Sequence, residues 1–144
     1  MPAVIGRVQI PGVAVNPAVA SIHLMPPWPP PVQAWRADMS VLPTTLAELA
    51  QMAGDGAVLA AGDFNSTNDI REFRGLLTDG YRDAAEQAGV PFAPTYPADR
   101  FRPVIAIDHV LTRNATGIGV QTVRVPGTDH MALIVDVTLN DAVS

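Results

Sequence analysis

The chain has 144 residues, enough for one domain with a core of its own. A net charge of −5, with nine arginines and no lysine, is poorly suited to bulk binding of duplex nucleic acid, which depends on neutralising phosphates. The absence of cysteine excludes disulfides and thiolate metal sites, so any metal must be held by oxygen or imidazole.

The first twenty residues read as strand, turn and strand. Ala3 to Ile10 is apolar, Pro11-Gly12 is a turn signal, and Val13 resumes the pattern. A further strand ends in Ser21-Ile22-His23-Leu24, with Ile22 and Leu24 on one face and Ser21 and His23 on the other. Met25 to Val32 holds Pro26-Pro27-Trp28-Pro29-Pro30-Pro31, a stiff, extended loop. Trp28 is placed either to touch a ligand or to cap the core, and the proline run also has the composition of a ligand for aromatic-groove modules. Trp35, Met39, Leu42, Leu46, Leu49 and Met52 recur at helical spacing over Gln33–Ala53. Pro43 is expected to interrupt that helix, with Thr44 or Thr45 near its restart. Gly54-Asp55-Gly56 then leads into an apolar strand, Ala57–Ala61.

Two short helices are expected over Asp69–Leu77, with Ile70, Phe73, Leu76 and Leu77 on one face, and over Tyr81–Ala88. Gly89–Pro103 is rich in proline and short polar residues and reads as loop. Three strands close the chain, Val104–Thr112, Gly119–Val125 and Met131–Leu139. This order predicts a mixed α/β sheet layer. No apolar run approaches the roughly 20 residues of a membrane helix, and no signal peptide is visible. A cytoplasmic location is the default, with membrane attachment or secretion expected only if an upstream segment exists.

The chemistry concentrates at Gly62-Asp63-Phe64-Asn65, directly after the apolar strand. Side chains two apart on an extended segment share a face, so Asp63 and Asn65 are expected to reach into one site while Phe64 turns into the core. The three histidines fall at His23, in Ile107-Asp108-His109-Val110, and in Gly127-Thr128-Asp129-His130. His109 alternates with Ile105, Ile107 and Leu111, opposite Asp108, and reads as structural. Arg100 and Arg102 are placed either to reach a phosphate or to be solvated on a loop.

In this order, the His-Leu strand, Gly-Asp-Phe-Asn, Ile-Asp-His-Val and the final Asp-His resemble the endonuclease/exonuclease/phosphatase superfamily, the DNase-I-like metal-dependent phosphoesterases. Ser66-Thr67, Glu72-Phe73-Arg74 and Thr95-Tyr96-Pro97 match too, the last as support beside the site. The resemblance runs from about Val19 to Leu139 and is to the C-terminal half of the family's fold. That implies half of a four-layer α/β sandwich: a mixed, mainly antiparallel sheet with helices on one face and an apolar face open. Residues 1–144 are then a single domain of this type lacking its N-terminal half. No acidic residue precedes Ser21 to supply the first half's metal-binding Glu, and Asn16, in Val15-Asn16-Pro17, does not match that half's Asn.

By the same resemblance, His130 is the general base or water-orienting residue and Asp108 fixes its tautomer. Asp129 is the metal ligand for Mg2+ or Mn2+. His23 binds the phosphate or protonates the leaving oxygen, Asp63 orients or deprotonates the attacking water, and Asn65 donates to phosphoryl oxygens. The implied activity is hydrolysis of a phosphodiester or phosphomonoester. The substrate is a phosphorylated small molecule, a lipid or a nucleic acid, with the acidic charge favouring the first two. The alternatives are an incomplete subunit that needs a separate first half, or pairs as a homodimer, through the open sheet face, and a proline-rich adaptor.

Overall fold

The computed structural model describes residues 1, 3–99 and 102–140. Arg100, read as either reaching a phosphate or solvated on its loop, lies outside the described residues. The elements are β1 (Ala3–Arg7), β2 (Ala18–His23), α1 (Gln33–Ala53), β3 (Val58–Asp63), α2 (Arg71–Arg74), β4 (Arg82–Asp83), α3 (Ala84–Gln87), β5 (Asp108–Arg113), β6 (Ala115–Arg124) and β7 (Met131–Leu139). A five-stranded sheet has the order β1-β2-β3-β5-β4, and β6 and β7 pair separately as a two-stranded ribbon. The closing strands therefore leave the sheet instead of extending it, a correction to the single layer expected. The break falls at Asn114, whose φ of 52° turns the chain between β5 and β6.

β2 and β3 run parallel, joined by α1 as a crossover, and every other pairing in the sheet is antiparallel. The chain bends at Ala14 and Val15 and residues 13 to 17 form no strand, so the strand expected to resume at Val13 starts only at Ala18. α1 runs unbroken through Pro43. A helix-interior proline costs about 3 kcal/mol. Trp35, Met39, Leu42, Leu46 and Leu49 are all buried on one face, each contributing about 1.5–3 kcal/mol by leaving water, so the packing wins. Met52 is the exception to the apolar stripe. It is 38% exposed, and Ala53 takes the buried position after Leu49.

The core lies between α1 and one face of the sheet, where Ala18, Ala20, Ile22, Val58, Ala60 and Leu111 meet the helix stripe, with Phe64 and Phe73 packed edge to face at 5.7 Å. The opposite face carries Val19, Leu59, Ala61 and Val110, all part-exposed. The two expected short helices contract to four residues each. Phe73 and Leu76 still face the core, but Arg82 and Asp83 pair with Thr112 and Leu111 of β5, which takes them out of the helix. Asp83 then caps α3, accepting from the amides of Ala85 at 2.8 Å and Glu86 at 3.1 Å. The strand expected from Val104 begins at Asp108; before it, Ile105 makes only an isolated bridge to Tyr96. β6 starts four residues early, at Ala115, while β7 keeps its expected bounds. Among the described residues, no helix is long and apolar enough to cross a membrane.

Candidate functional site

Backbone register assembles the site. His23 is the cross-strand partner of Asp63, and Asp63 is the partner of Asp108, so three side chains from β2, β3 and β5 stand in one row. By alternation they project from the open face, the side away from α1. β2 and β3 both end here, and β5 begins here, so the row lies at the sheet's rim beside three loops.

The chain can come this close only because residue 62 is glycine. Gly62 has a φ of +146°, and a Cβ on it would lie 1.9 Å from the carbonyl oxygen of Ile22 on β2. The strand ends at Asp63, and Asn65 takes a left-handed φ of 46°. Asp63 and Asn65 do meet, but through a turn and not by strand alternation. The Asn65 amide nitrogen donates to Asp63 Oδ1 at 2.7 Å, and its side-chain Nδ2 donates to Asp63 Oδ2 at 3.2 Å and to the Leu24 carbonyl at 2.8 Å. Both amide hydrogens of Asn65 are thus engaged in holding Asp63 and the end of β2.

His130 arrives from the loop before β7. Its Nδ1 is 2.8 Å from Asp108 Oδ2, and its Nε2 is 3.8 Å from Asp63 Oδ2. His23 Nε2 is 3.7 Å from the same Asp63 oxygen. Burial pushes the Asp63 carboxyl above the usual carboxylate range. The neighbouring Asp108 adds to the rise, while the Asn65 amide and the two imidazoles oppose it. Asp63, Asp108 and His130 bring ligand atoms within 4.8 Å of one another. Asp129 lines the same cleft, of about 630 Å³, but is exposed and stands apart from that cluster.

Supporting residues tie these loops together. The fully buried Thr95 accepts at its hydroxyl from the amides of Ile107 and Asp108, each at 3.4 Å. Its carbonyl accepts from Met131 at 2.7 Å, and the Asp129 carbonyl accepts from Ala98 at 2.6 Å. The Tyr96 ring lies against the His130 imidazole at 4.9 Å between centroids, a partner that sequence spacing did not reveal. His109 is buried, as its alternation implied. Its Nδ1 is 2.8 Å from Asp83 Oδ2, its Nε2 is 2.9 Å from the Ser66 carbonyl, and its ring packs on Phe73 at 4.2 Å. Arg102 is exposed and is not among the described residues lining the cleft.

The sequence profile of the Endonuclease/Exonuclease/phosphatase family matches residues 2–130. No curated protein matches the chain in sequence. Among solved structures, the chain is similar to the mannosyl-6-phosphatase of Bacteroides thetaiotaomicron VPI-5482, at a TM-score of 0.69 and 13% identity over 94% of this chain and 56% of that one. It is also similar to the human Nocturnin catalytic domain, at 0.71 and 16% over 96% and 53%, and to D. rerio TDP2, at 0.71 and 17% over 94% and 61%. The chain thus spans between about half and three-fifths of the proteins it resembles, and at these identities the likeness is one of fold. With the family profile covering nearly its whole length, the chain belongs to the Endonuclease/Exonuclease/phosphatase family.

Proposed function

We propose that the chain carries the active site of a metal-dependent phosphoesterase that hydrolyses a phosphomonoester or phosphodiester. The observation that carries this reading is the His130–Asp108 contact at 2.8 Å, with the other ring nitrogen of His130 facing Asp63. Asp108 accepts from Nδ1–H, which leaves Nε2 with its lone pair in the neutral imidazole. Water between His130 and Asp63 loses its proton to Nε2 as its oxygen bonds to phosphorus. The bond from phosphorus to the leaving oxygen breaks, and His23, in its protonated form, supplies the proton that oxygen needs. Asn65 acts here by holding Asp63 in place.

The donor set fits a hard divalent cation such as Mg2+ or Mn2+: several carboxylates, no thiol, and a site open to water. With Asp108 engaged by His130, Asp63 is the carboxylate of the cluster that would hold it, and Asp129, on the lining of the same cleft, is the further carboxylate that would have to swing toward it. When bound, the ion supplies positive charge to the phosphoryl oxygens.

The test is hydrolysis of bis(4-nitrophenyl) phosphate and 4-nitrophenyl phosphate by the purified chain, with Mg2+ or Mn2+ and with chelator, beside His130→Ala. The expected result is metal-dependent turnover that falls at least about 100-fold in the variant. Turnover indifferent to metal, or unchanged in His130→Ala, overturns the mechanism.

A second reading has its own support. Val19, Leu59, Ala61 and Val110 leave an apolar strip part-exposed on the very face from which the site projects. The chain also spans little more than half of the proteins it resembles. In this reading, further polypeptide packs on that face, as a separate half or a second copy, and completes the site. Folded protein without turnover favours it. Gain of activity with concentration, together with a doubled mass in solution, would point to the second copy.

A further inference from the structure

The proline loop between β2 and α1 presents an indole to the site. Trp28 is 77% exposed, yet it lines the same cleft as His23, Asp63, Asp108 and His130. A side chain of this size gains by leaving water, so leaving it in solvent forgoes stabilisation that packing would bring. Its setting keeps it there. Pro26 and Pro27 precede it and Pro29, Pro30 and Pro31 follow, each with φ fixed by its ring, so the loop has little freedom to fold the indole away and little to lose when a ligand meets it.

The rest of the lining has a matching character. Pro26, Pro27, Tyr96, Ile105 and Ile107 form an apolar wall beyond the reacting groups. Among the described lining residues, the titratable groups are three aspartates, two histidines and the Tyr96 phenol, with no lysine or arginine. A polyanion extending past the reacting phosphate would meet carboxylates and, among the described lining residues, no lysine or arginine. A flat, uncharged ring would meet an exposed indole and an apolar wall.

We propose that Trp28 is a stacking platform, and that the substrate is a phosphate ester whose non-reacting side carries a flat aromatic ring. This rests on the phosphoesterase reading for the chemistry, but the platform itself is a binding surface and is measured separately. A ring lying on the indole gains by dispersion and quadrupole attraction, and that gain is present before and during the reaction. Trp28 therefore acts on KM more than on kcat.

Two esters with one leaving group decide it. Bis(4-nitrophenyl) phosphate and methyl 4-nitrophenyl phosphate both release 4-nitrophenol, but only the first has a ring on the other side. In Trp28→Ala, the preference in kcat/KM for the first over the second falls about 10-fold, through KM, and Trp28→Phe restores most of it. A preference unchanged in Trp28→Ala, whether both esters slow equally or neither does, overturns the proposal. If wild type turns over neither ester, the phosphoesterase reading is what has failed, and calorimetric titration judges the platform. Phenyl phosphate then binds about 10-fold more tightly than inorganic phosphate to wild type and loses that margin in Trp28→Ala. Equal binding of the two by wild type, or a margin that survives the substitution, overturns it.

Discussion

His130 Nδ1 lies 2.8 Å from Asp108 Oδ2 although twenty-two residues separate the two in sequence. The pair closes because the loop at residues 95–98 binds both ends of the gap. Thr95 Oγ1 accepts from the Asp108 amide, the Thr95 carbonyl accepts from Met131, and the Tyr96 ring lies tilted against the imidazole.

If Asp108 acts by fixing the imidazole tautomer, Asp108→Asn is the discriminating change. An amide in place of the carboxylate can donate to Nδ1, which moves the ring proton to Nε2 and removes the base. Turnover should fall by about 10²–10⁴-fold with KM little altered, while the melting temperature stays close to wild type. Steady-state kinetics beside thermal unfolding check this. A loss of turnover that tracks a loss of folded protein would make Asp108 structural.

Gly62 makes a prediction about the fold itself. Gly62→Ala places a methyl group against the Ile22 carbonyl at a φ that L-residues rarely adopt. The cost is about 3 kcal/mol or more, from backbone strain and overpacking together. Denaturant titration should show the unfolding free energy lowered by that amount, with the midpoint shifted accordingly, or the variant should fail to accumulate as folded protein. An unshifted midpoint would mean that β2 and β3 separate here without penalty.

Tyr81 gives a pH dependence. Its hydroxyl donates to the Leu46 carbonyl at 2.7 Å inside the core, and burial pushes the phenol up to about 12 from its ordinary 10, with Arg113 pulling slightly the other way. Because the folded value is the higher one, the folded state holds the proton more tightly. Its stabilisation is fully present below pH 10 and is lost as pH rises toward 12. Thermal midpoints measured across that window should fall more steeply for wild type than for Tyr81→Phe. The phenylalanine variant should begin about 1 kcal/mol less stable at neutral pH, for want of the hydrogen bond. Parallel curves would contradict the assignment.

What the sequence made legible was local. The α1 stripe, the limits of β7, the burial of Phe64 and His109 and the family itself all follow from periodicity or from short motifs in order. What it hid depended on partners distant in sequence. Arg82 and Asp83 carry a helical pattern, but β5 offers them ladder hydrogen bonds, which local propensity does not weigh. Pro43 is a breaker in isolation and is carried by the packing of its neighbours.

In the site, the residue types were readable but their division of labour was not. Asp63 and Asn65 were legible as a pair. That Asn65 turns its amide back onto Asp63 and Leu24 follows from a left-handed residue, which strand alternation does not anticipate. Tyr96 was legible as support beside the site, but its contact with His130 was not, because it runs between two loops.

The row formed by His23, Asp63 and Asp108 ties the candidate site to strand alignment. Along a strand successive side chains change sides, so sliding β3 by a single position against its neighbours would bury Asp63 and bring Gly62 or Phe64 to the rim. A slipped sheet would therefore not loosen the row but dismantle it. The same slip would turn Val58 and Ala60 out of the core, so the packing that holds the sheet in register also guards the alignment of the three side chains.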